Sequence, residues 1–248
     1  MIVYRGKKTI KRKTLRVGRK GTNGKFSFQK RIVQSGRYSF QVIKNPSEKL
    51  GGTKNRTRVF KIDFPNLSEG DRSNTVKVFN KLLEKQGYVN DGAKKYDSAT
   101  GRAVLAFHKV NDKKRTENAS AGDFKKLAAG KGGFKLKYPG AGKHVEADLS
   151  RQVMVLANHG EAEEIYHISS GTAATPTIQG HFQFYRKEPG TNSHGMVNSV
   201  YFIRGYATHG YASVPDYPAS HGCLRNPIPD SLHIYNWIDI GDDIYVYP

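Results

Sequence analysis

Cys223, the only cysteine of this 248-residue chain, lies in the segment Ser220-His221-Gly222-Cys223-Leu224-Arg225, and the pair His209-Gly210 precedes it by a short loop. A free thiol has a pKa near ~8.5 and is only slightly ionised at neutral pH, so an imidazole that takes its proton makes it a much better nucleophile. Gly222 permits close backbone approach, and the N–H groups around Gly222 and Cys223 could point at a developing oxyanion. These residue types predict a cysteine nucleophile.

The surroundings of this cysteine favour a functional thiol over a structural one. A lone cysteine is usually a small buried hydrophobe, but Ser-His-Gly-Cys is a poor apolar core segment. Proline-rich turn formers frame it at residues 214–218 and 226–230, which places the thiol on a loop beside a scaffold. Zinc would need paired Cys-x-x-Cys or His-x-x-x-His spacing, which the sequence lacks, so neither a metal nor another cofactor is expected.

Residues 142–248 resemble the L,D-transpeptidase family, whose catalytic domain is of the YkuD type. Three ordered elements carry the resemblance, which makes it far more specific than a single motif. They are an opening strand at residues 145–156, the segment 169–176 (Ser-Ser-Gly-Thr-Ala-Ala-Thr-Pro) followed by Gly180-His181-Phe182, and His209-Gly210 followed by residues 220–225.

The resemblance implies acyl transfer on peptidoglycan stem peptides. The thiolate attacks the carbonyl of the third stem residue, a diamino acid, the terminal D-alanine leaves, and an acyl-enzyme forms. An amine from another stem then attacks, which gives a 3→3 cross-link. Water as the acceptor would make the enzyme an L,D-carboxypeptidase instead. The same resemblance implies an extracytoplasmic location in a bacterial cell wall and a part in cell-wall biogenesis and cell shape.

The resemblance also assigns roles to individual residues. Cys223 is the nucleophile, His209 is the general base, and the backbone carbonyl of Gly210 orients the His209 imidazole. His221 shapes the pocket beside the sulfur, and Gly222 completes the catalytic set. The substrate-binding set that it implies consists of Arg225, Ser220, Thr175 and Tyr201.

Composition and patterning predict a multidomain chain. A basic β-rich segment at residues 1–62 resembles part of an immunoglobulin-like β-sandwich with too few strands for a complete one, which suggests truncation, and a helical module follows at residues 64–112. That module resembles a type-1 peptidoglycan-binding module, although a structural spacer is an alternative reading. Residues 113–141 are rich in Lys, Gly and Ala and predict a flexible linker with one short helix around Phe124. Residues 142–248 are the mainly-β catalytic domain.

Local patterns place the elements of the first two segments. Period-two alternation predicts strands at residues 25–29, 36–43 and 57–62, with a hairpin turn at Gly21-Thr22-Asn23-Gly24. In the module, Ser73 or Asn74 is expected to cap a first helix that ends at Gly87. Asp97 or Ser98 is expected to start a second helix. The apolar faces of the two helices are Val76, Phe79, Leu82 and Leu83, and Ala103, Val104, Phe107 and Val110.

The net charge of +20 is concentrated at one end of the chain. Residues 1–62 hold 19 Lys and Arg against one acidic residue, Glu48, a net charge of +18. Such a stretch indicates a polyanionic partner, and anionic wall polymers suit a wall enzyme, while a merely solvated surface is the alternative. No apolar run approaches a membrane span. Residues 1–8 lack the apolar core of a signal peptide, so the chain is expected to be a fragment or to start downstream of the true start codon.

Three other functions are less well supported by the same residues. A hydrolase of the same peptides would share Cys223 and differ only in its acceptor. A non-catalytic wall-binding protein with a relic site is disfavoured because Cys223, His209, His221, Gly222 and Arg225 are all present. A nucleic-acid-binding protein rests on charge alone, since zinc-finger, helix-turn-helix and RNP signatures are missing, and no nucleic acid partner is expected.

Overall fold

The computed structural model describes residues 1–14, 32, 34–46 and 51–248, which form two compact units. One unit comprises residues 1–65 and 121–129, and the other comprises residues 66–120 and 130–248. Among the described residues, no helix is both long and apolar enough to cross a membrane.

The described part of residues 1–62 is one five-stranded antiparallel sheet. Its strands are β1 (Ile2–Arg5), β2 (Lys8–Arg12), β3 (Gly36–Lys44), β4 (Thr53–Arg56) and β5 (Phe60–Ile62). The strand order is β2-β1-β3-β4, and β5 pairs with the start of β3. The strand predicted at 36–43 is confirmed, whereas the one predicted at 57–62 is limited to β5. The turn at 21–24 and the strand at 25–29 lie outside the described residues, and the sandwich-like expectation stays a prediction.

The helix pair of the predicted module is present, and local caps define where each helix begins. Helix α1 (Asn74–Glu84) is capped by Ser73, whose Oγ accepts the Val76 N–H at 3.1 Å. Helix α2 (Ser98–Val110) is capped by Asp97, whose Oδ1 accepts the Thr100 N–H at 3.0 Å. Each cap satisfies a backbone donor that has no partner inside its helix. The predicted apolar faces are buried or half-buried.

Residues 113–141, expected as a linker, contain helix α3 (Ala121–Ala128) around Phe124. Phe124 packs edge-on against Phe64, at 5.1 Å between ring centroids, within the first unit. The flanking stretches of this region belong to the second unit and are hydrogen-bonded there. The Tyr88 hydroxyl donates to the Gly132 carbonyl at 2.5 Å, and the Arg115 guanidinium donates to the Ser150 carbonyl at 3.2 Å. These contacts do not fit a freely flexible linker between the module and the catalytic domain.

Two sheets and one helix build residues 142–248. The first sheet has the order β8-β7-β6-β14-β9, and the second has the order β10-β11-β12-β13. Their bounds are β6 (His144–Asp148), β7 (Val153–Asn158), β8 (Glu161–His167), β9 (Gly180–Gln183), β10 (Arg186–Thr191), β11 (Val197–Ile203), β12 (Tyr206–Tyr211), β13 (Leu224–Pro227) and β14 (Asp243–Tyr247). Helix α4 (Ile228–Trp237) packs on β11, β12 and β13.

The single opening strand expected at residues 145–156 is wrong. Residues 149–152 turn the chain, and β6 and β7 pair as an antiparallel hairpin with Val145 opposite Leu156. Gln152 takes a left-handed φ of 57° at this turn, a conformation that an unbroken strand does not contain. The turn was hard to detect because residues 149–152, Leu-Ser-Arg-Gln, contain neither glycine nor proline.

The core of this region joins the two sheets. Buried side chains from β6, β7, β11, β13, β14 and α4 form one cluster, among them Val145, Leu156, Val200, Phe202, Leu224, Ile234 and Val246. Leu224 is wholly buried and directly follows Cys223 in the chain. The core therefore fixes the position of the residue next to the candidate nucleophile.

Candidate active site

Strands β12 and β13 carry the predicted cysteine and histidine to the same face of one sheet. The two strands run parallel, with Thr208 opposite Leu224 and His209 opposite Arg225. Because side chains alternate along a strand, His209 lies on the face opposite to Thr208 and on the same face as Arg225. Cys223 directly precedes β13, so it continues the row that contains Arg225. The register thus places Cys223 and His209 diagonally across neighbouring strands.

The turn before β13 is held by Ser220, which is 1% exposed. Its Oγ accepts the Gly222 N–H at 3.0 Å and donates to the Cys223 carbonyl at 2.6 Å. Gly222 has a φ of +115°, and a Cβ there would fall inside the Tyr206 ring. Only glycine therefore fits the residue before the thiol. Since the Gly222 N–H is already bonded to Ser220, the N–H of Cys223 is the better candidate of the two expected oxyanion donors.

The segment at residues 169–176 holds this turn in place through hydrogen bonds. Ser169 and Arg225 exchange both backbone hydrogen bonds, each at 3.0 Å, and the Ser170 carbonyl accepts the N–H of Ser220 at 2.9 Å. The Thr175 hydroxyl donates to the Ser220 carbonyl at 3.1 Å. A Cβ on Gly171 would lie 2.9 Å from the Gly222 Cα, so the two motifs meet at their glycines.

His209 is 3% exposed and is held by its own neighbour. Its Nδ1 lies 2.9 Å from the Gly210 carbonyl, a contact in which Nδ1–H donates. That bond assigns the proton to Nδ1 and leaves the Nε2 lone pair free to accept one. Burial lowers the pKa of His209, and the nearby positive charge of Arg225 adds to this, while the bond to Gly210 opposes it. The imidazole is therefore neutral at neutral pH.

Cys223 is half-buried, and its Sγ lies 3.7 Å from the Gly205 carbonyl. Burial raises the pKa of the thiol, while a hydrogen bond from the Ala207 backbone and the positive charge of Arg225 work in the opposite direction. The resting pair is consequently a neutral thiol and a neutral imidazole. A base that acts only once a substrate is in place suits this arrangement.

Tyr211 connects His209 to Arg225. Its ring meets the His209 ring edge-on at 5.7 Å between centroids, and the Arg225 guanidinium carbon stands 4.2 Å from the Tyr211 ring centre. The cation–π contact holds the guanidinium beside the site while its N–H groups stay available to an acidic group.

Tyr201 lies in the same row as the thiol. It pairs with Ala207 across β11 and β12, and Ala207 in turn faces Cys223. The Tyr201 hydroxyl donates to Glu188 Oε2 at 2.6 Å, and Arg186 stands over the Tyr201 ring at 3.9 Å. The three line a cavity of about 370 Å³, together with Asn192, Ser193, His194, Met196 and Gly205.

A second cavity, of about 360 Å³, lies at the other end of β12. Its wall is formed by Tyr211 together with Arg102, Glu117, His167, Ala212, Val214 and residues 227–229. Gly205 lies just before β12 and Tyr211 ends it, so the two cavities flank the row that holds His209.

The structure gathers most of the residues singled out from the sequence. Cys223, His209, Gly210, Gly222 and Arg225 lie together. Ser220 and Thr175, expected to bind substrate, are engaged in holding the turn, and His221 is exposed beside it. Sequence reasoning missed Gly205, Tyr206 and Tyr211. Period two along the strand that contains His209 was the signal that could have found Tyr211.

Among the residues that the structure describes, no group of three or more His, Cys, Asp or Glu side chains is arranged to hold an ion. Acyl transfer by a thiol and an imidazole needs none.

Comparison with known proteins agrees with this geometry. Residues 142–246 match the family model of the L,D-transpeptidase catalytic domain, YkuD. The chain is also similar to the solved structure of an L,D-transpeptidase from Xylanimonas cellulosilytica, at 28% identity and a TM-score of 0.69, over 74% of this chain and 98% of that chain. The predicted resemblance is therefore confirmed for the catalytic domain, whereas the resemblance of the helical module to a peptidoglycan-binding module stays a prediction.

More distant structures share the same description. An L,D-transpeptidase from Stackebrandtia nassauensis is 21% identical with a TM-score of 0.45, over 73% of this chain and 95% of that chain. A variant L,D-transpeptidase from Enterococcus faecium is 24% identical with a TM-score of 0.38, over 43% and 50% of the two chains. No curated protein sequence matches this chain significantly.

Proposed function

We propose that this protein is a cysteine acyltransferase that forms 3→3 cross-links between peptidoglycan stem peptides. One observation carries the proposal: Cys223 and His209 share a face of the β12–β13 pair, and the Gly210 carbonyl orients the imidazole at 2.9 Å. This is the arrangement that a thiol nucleophile and its base require. The match of residues 142–246 to an L,D-transpeptidase catalytic domain supplies the substrate class.

Acylation begins when the donor stem places the carbonyl of its third residue against the thiol. His209 Nε2 takes the Sγ proton as the carbon–sulfur bond forms, and the N–H of Cys223 faces the negative oxygen. The C–N bond to D-alanine then breaks, and His209 returns the proton to the departing amine. A thioester on Cys223 and free D-alanine result, so atoms and charge balance.

Deacylation repeats the sequence with a second stem. The side-chain amine of the acceptor attacks the thioester carbonyl, His209 takes a proton from the amine, and the proton passes to the departing sulfur. The cavities at the two ends of β12 support an amine acceptor over water, because a two-stem reaction needs a place for each stem. Hydrolysis to a tripeptide stem is the alternative with the same acyl-enzyme.

The cavity beside Tyr201 suits the donor stem. Glu188 keeps an ionised carboxylate, because hydrogen bonds from Tyr201 and Asn192 lower its pKa, and Arg186 supplies a positive charge nearby. Opposite charges at one cavity match the amino and carboxyl groups that a diamino acid carries. In this proposal Tyr201 acts on the substrate mainly by holding Glu188, and Arg225 holds an acidic group on the far side of the thiol.

The remaining parts of the proposal concern location. An enzyme with this substrate works outside the cytoplasmic membrane, at the cell wall. The basic N-terminal segment would retain it on anionic wall polymers, and the helical segment at residues 64–112 would bind or approach glycan strands. Each of these statements rests on charge or on resemblance to a module.

Product analysis with synthetic tetrapeptide stems tests the reaction. The expected product has the mass of two stems less one D-alanine, and Cys223→Ala, which removes only a half-buried sulfur, should give none. Stems shortened to tripeptides without any dimer would make the protein a carboxypeptidase. Equal product from Cys223→Ala would refute the cysteine mechanism altogether.

A further inference from the structure

Helix α2 contributes a buried lysine to the catalytic half of its unit. Lys109 is 2% exposed, and its Nζ donates to the Ile168 carbonyl at 2.9 Å and to the Gln152 carbonyl at 3.1 Å. Both acceptors belong to the catalytic domain, while Lys109 belongs to the predicted peptidoglycan-binding-like module. An amine buried this completely is costly unless its donors are bonded, and here they are bonded to two chain segments at once.

Gln152 links Lys109 to the segment at residues 169–176, which is hydrogen-bonded to the turn that carries Cys223. Its side chain grips Ser170 twice: Oε1 accepts the Ser170 N–H at 2.8 Å, and Nε2 donates to the Ser170 Oγ at 2.6 Å. The Ser170 carbonyl accepts the N–H groups of Ala219 and Ser220, both at 2.9 Å. Ser220 then bonds the Cys223 carbonyl at 2.6 Å.

Ile168 provides a second chain of hydrogen bonds from the Lys109 amine to the Cys223 turn. It directly precedes Ser169, whose backbone exchanges two hydrogen bonds with Arg225. Lys109 thus binds two chain segments, at residues 152 and 168. Each segment leads through hydrogen bonds to one end of the Cys223 turn. A contiguous set of hydrogen bonds is a physical route by which one side chain can set the geometry of another.

The surroundings of Lys109 disfavour its charged form, so this residue is poorly suited to stabilising the fold. Burial lowers its pKa to about 7, and Arg115 adds to the shift while Asp216 opposes it. His167, on the adjacent strand β8, is held neutral because burial, with Lys109 and Arg102, lowers its pKa to about 3. A lysine at a position where burial and the positive charge of Arg115 oppose its own charge indicates a role other than stabilisation of the fold.

We propose that Lys109 is a positioning residue for the Cys223 turn, supplied by the helical segment. In consequence that segment is part of the catalytic apparatus and not a detachable wall-binding module. This inference rests on the proposed function, since the turn matters only if Cys223 reacts. Lys109 touches neither the substrate nor the thiol, and it acts through Gln152 and Ser170.

Inactivation kinetics with a carbapenem, a strained amide that can acylate a thiol, separate positioning from binding and from stability. The variants are Lys109→Met, which keeps the volume and removes the donors, and Lys109→Gln, which keeps two N–H donors on a shorter side chain. Lys114→Met is the control, since Lys114 is exposed and near the end of the same helix. The measured quantities are kinact, KI and the free energy of unfolding at pH 8.

Lys109→Met should lower kinact roughly tenfold or more, with KI within about threefold, because a small misplacement of the thiol slows the reaction without removing binding contacts. Lys109→Gln should recover part of kinact, and Lys114→Met should match the wild type. The free energy of unfolding of Lys109→Met at pH 8 should be no lower than that of the wild-type protein.

Three results would overturn the inference. They are acylation of Lys109→Met at the wild-type rate, failure of Lys109→Met to fold, and a fall in its kinact that is only proportional to lost stability. In each case Lys109 does not position the turn. A wild-type protein that the carbapenem does not acylate would refute the proposed function itself, and the inference would fall with it, so the two failures are distinguishable.

Discussion

Burial is the largest cause of the pKa shifts of both side chains in the proposed catalytic pair, Cys223 and His209. It raises the pKa of Cys223 and lowers that of His209, so each group is pushed toward its neutral form. A thiolate–imidazolium pair in the resting enzyme is therefore disfavoured. In the proposed mechanism the proton therefore moves from Sγ to Nε2 during the attack, and the bond between His209 Nδ1 and the Gly210 carbonyl leaves Nε2 free to receive it.

This assignment predicts different pH profiles for variants of the two histidines. In the wild type, kcat/KM should rise with a pKa below the usual ~6.5 of histidine and then level off, because neutral His209 is the working form. His209→Gln should lose about 10²–10⁴ in rate at pH 7. Its rate should climb steadily above pH 8, as the thiol, whose pKa is raised, ionises without help.

His221→Gln is the matched variant, since it makes the same change two residues from the thiol on an exposed side chain. Its acylation rate should stay within about fivefold of the wild type, with an unchanged profile. If His221→Gln loses far more rate than His209→Gln, the roles of the two histidines are reversed.

Among the elements, helices were easier to predict than strands. The starts of α1 and α2 follow from Ser73 and Asp97, because a helix cap depends only on three or four consecutive residues. The hairpin at residues 145–156 was hidden because its turn uses Gln152 at positive φ instead of a glycine. Cross-strand neighbours such as Tyr201 and Ala207 depend on register, which sequence spacing does not reveal.

The N-terminal sheet carries exposed basic side chains along an edge. Among the strands that the structure describes, β2 is an outer one, and Lys8, Lys11 and Arg12 on it are exposed. Charged edge strands resist pairing with other strands, and they also offer a row of cations to a polyanion. On β4, Arg56 is instead engaged with the Tyr4 ring at 4.4 Å. The β2 edge is thus the better place to test binding.

The triple variant Lys8→Gln/Lys11→Gln/Arg12→Gln should bind purified anionic wall material at least roughly tenfold more weakly at low salt. The reason is that each cation near an anionic surface contributes about 1 kcal/mol to binding. The difference should vanish at high salt, because screening shortens the reach of each charge. Turnover of a small soluble stem peptide should be unchanged.

Lys77→Gln/Lys81→Gln/Lys85→Gln, on α1 and its C-cap, is the control, because it removes three exposed positive charges from another part of the chain. Equal loss of retention in both triple variants would mean that net charge, and not the β2 edge, determines binding. Loss of turnover in the β2 variant would place the N-terminal segment in the catalytic reaction.

At the scale of the whole molecule, residues 66–120 and 130–248 form one compact unit. The similarity to the Xylanimonas cellulosilytica structure extends over 74% of this chain, more than residues 142–246 alone supply. The sequence pattern singled out motifs that the structure brings together at one end of β12 and β13, because each motif is local, but it placed a linker at residues 113–141. Contacts such as Tyr88 to Gly132 join residues distant in sequence, and composition alone does not show them.

The central claim is that Cys223 is an acylatable nucleophile held in a preformed site. Intact-protein mass spectrometry after exposure to a carbapenem tests it most directly, because the chain has a single cysteine and a thioester adduct adds a defined mass. Peptide mapping then locates the adduct, with Cys223→Ala and Cys223→Ser as controls. The account predicts one adduct per chain on the peptide that contains Cys223, and none in Cys223→Ala. An adduct on another residue, or equal labelling of Cys223→Ala, would contradict it.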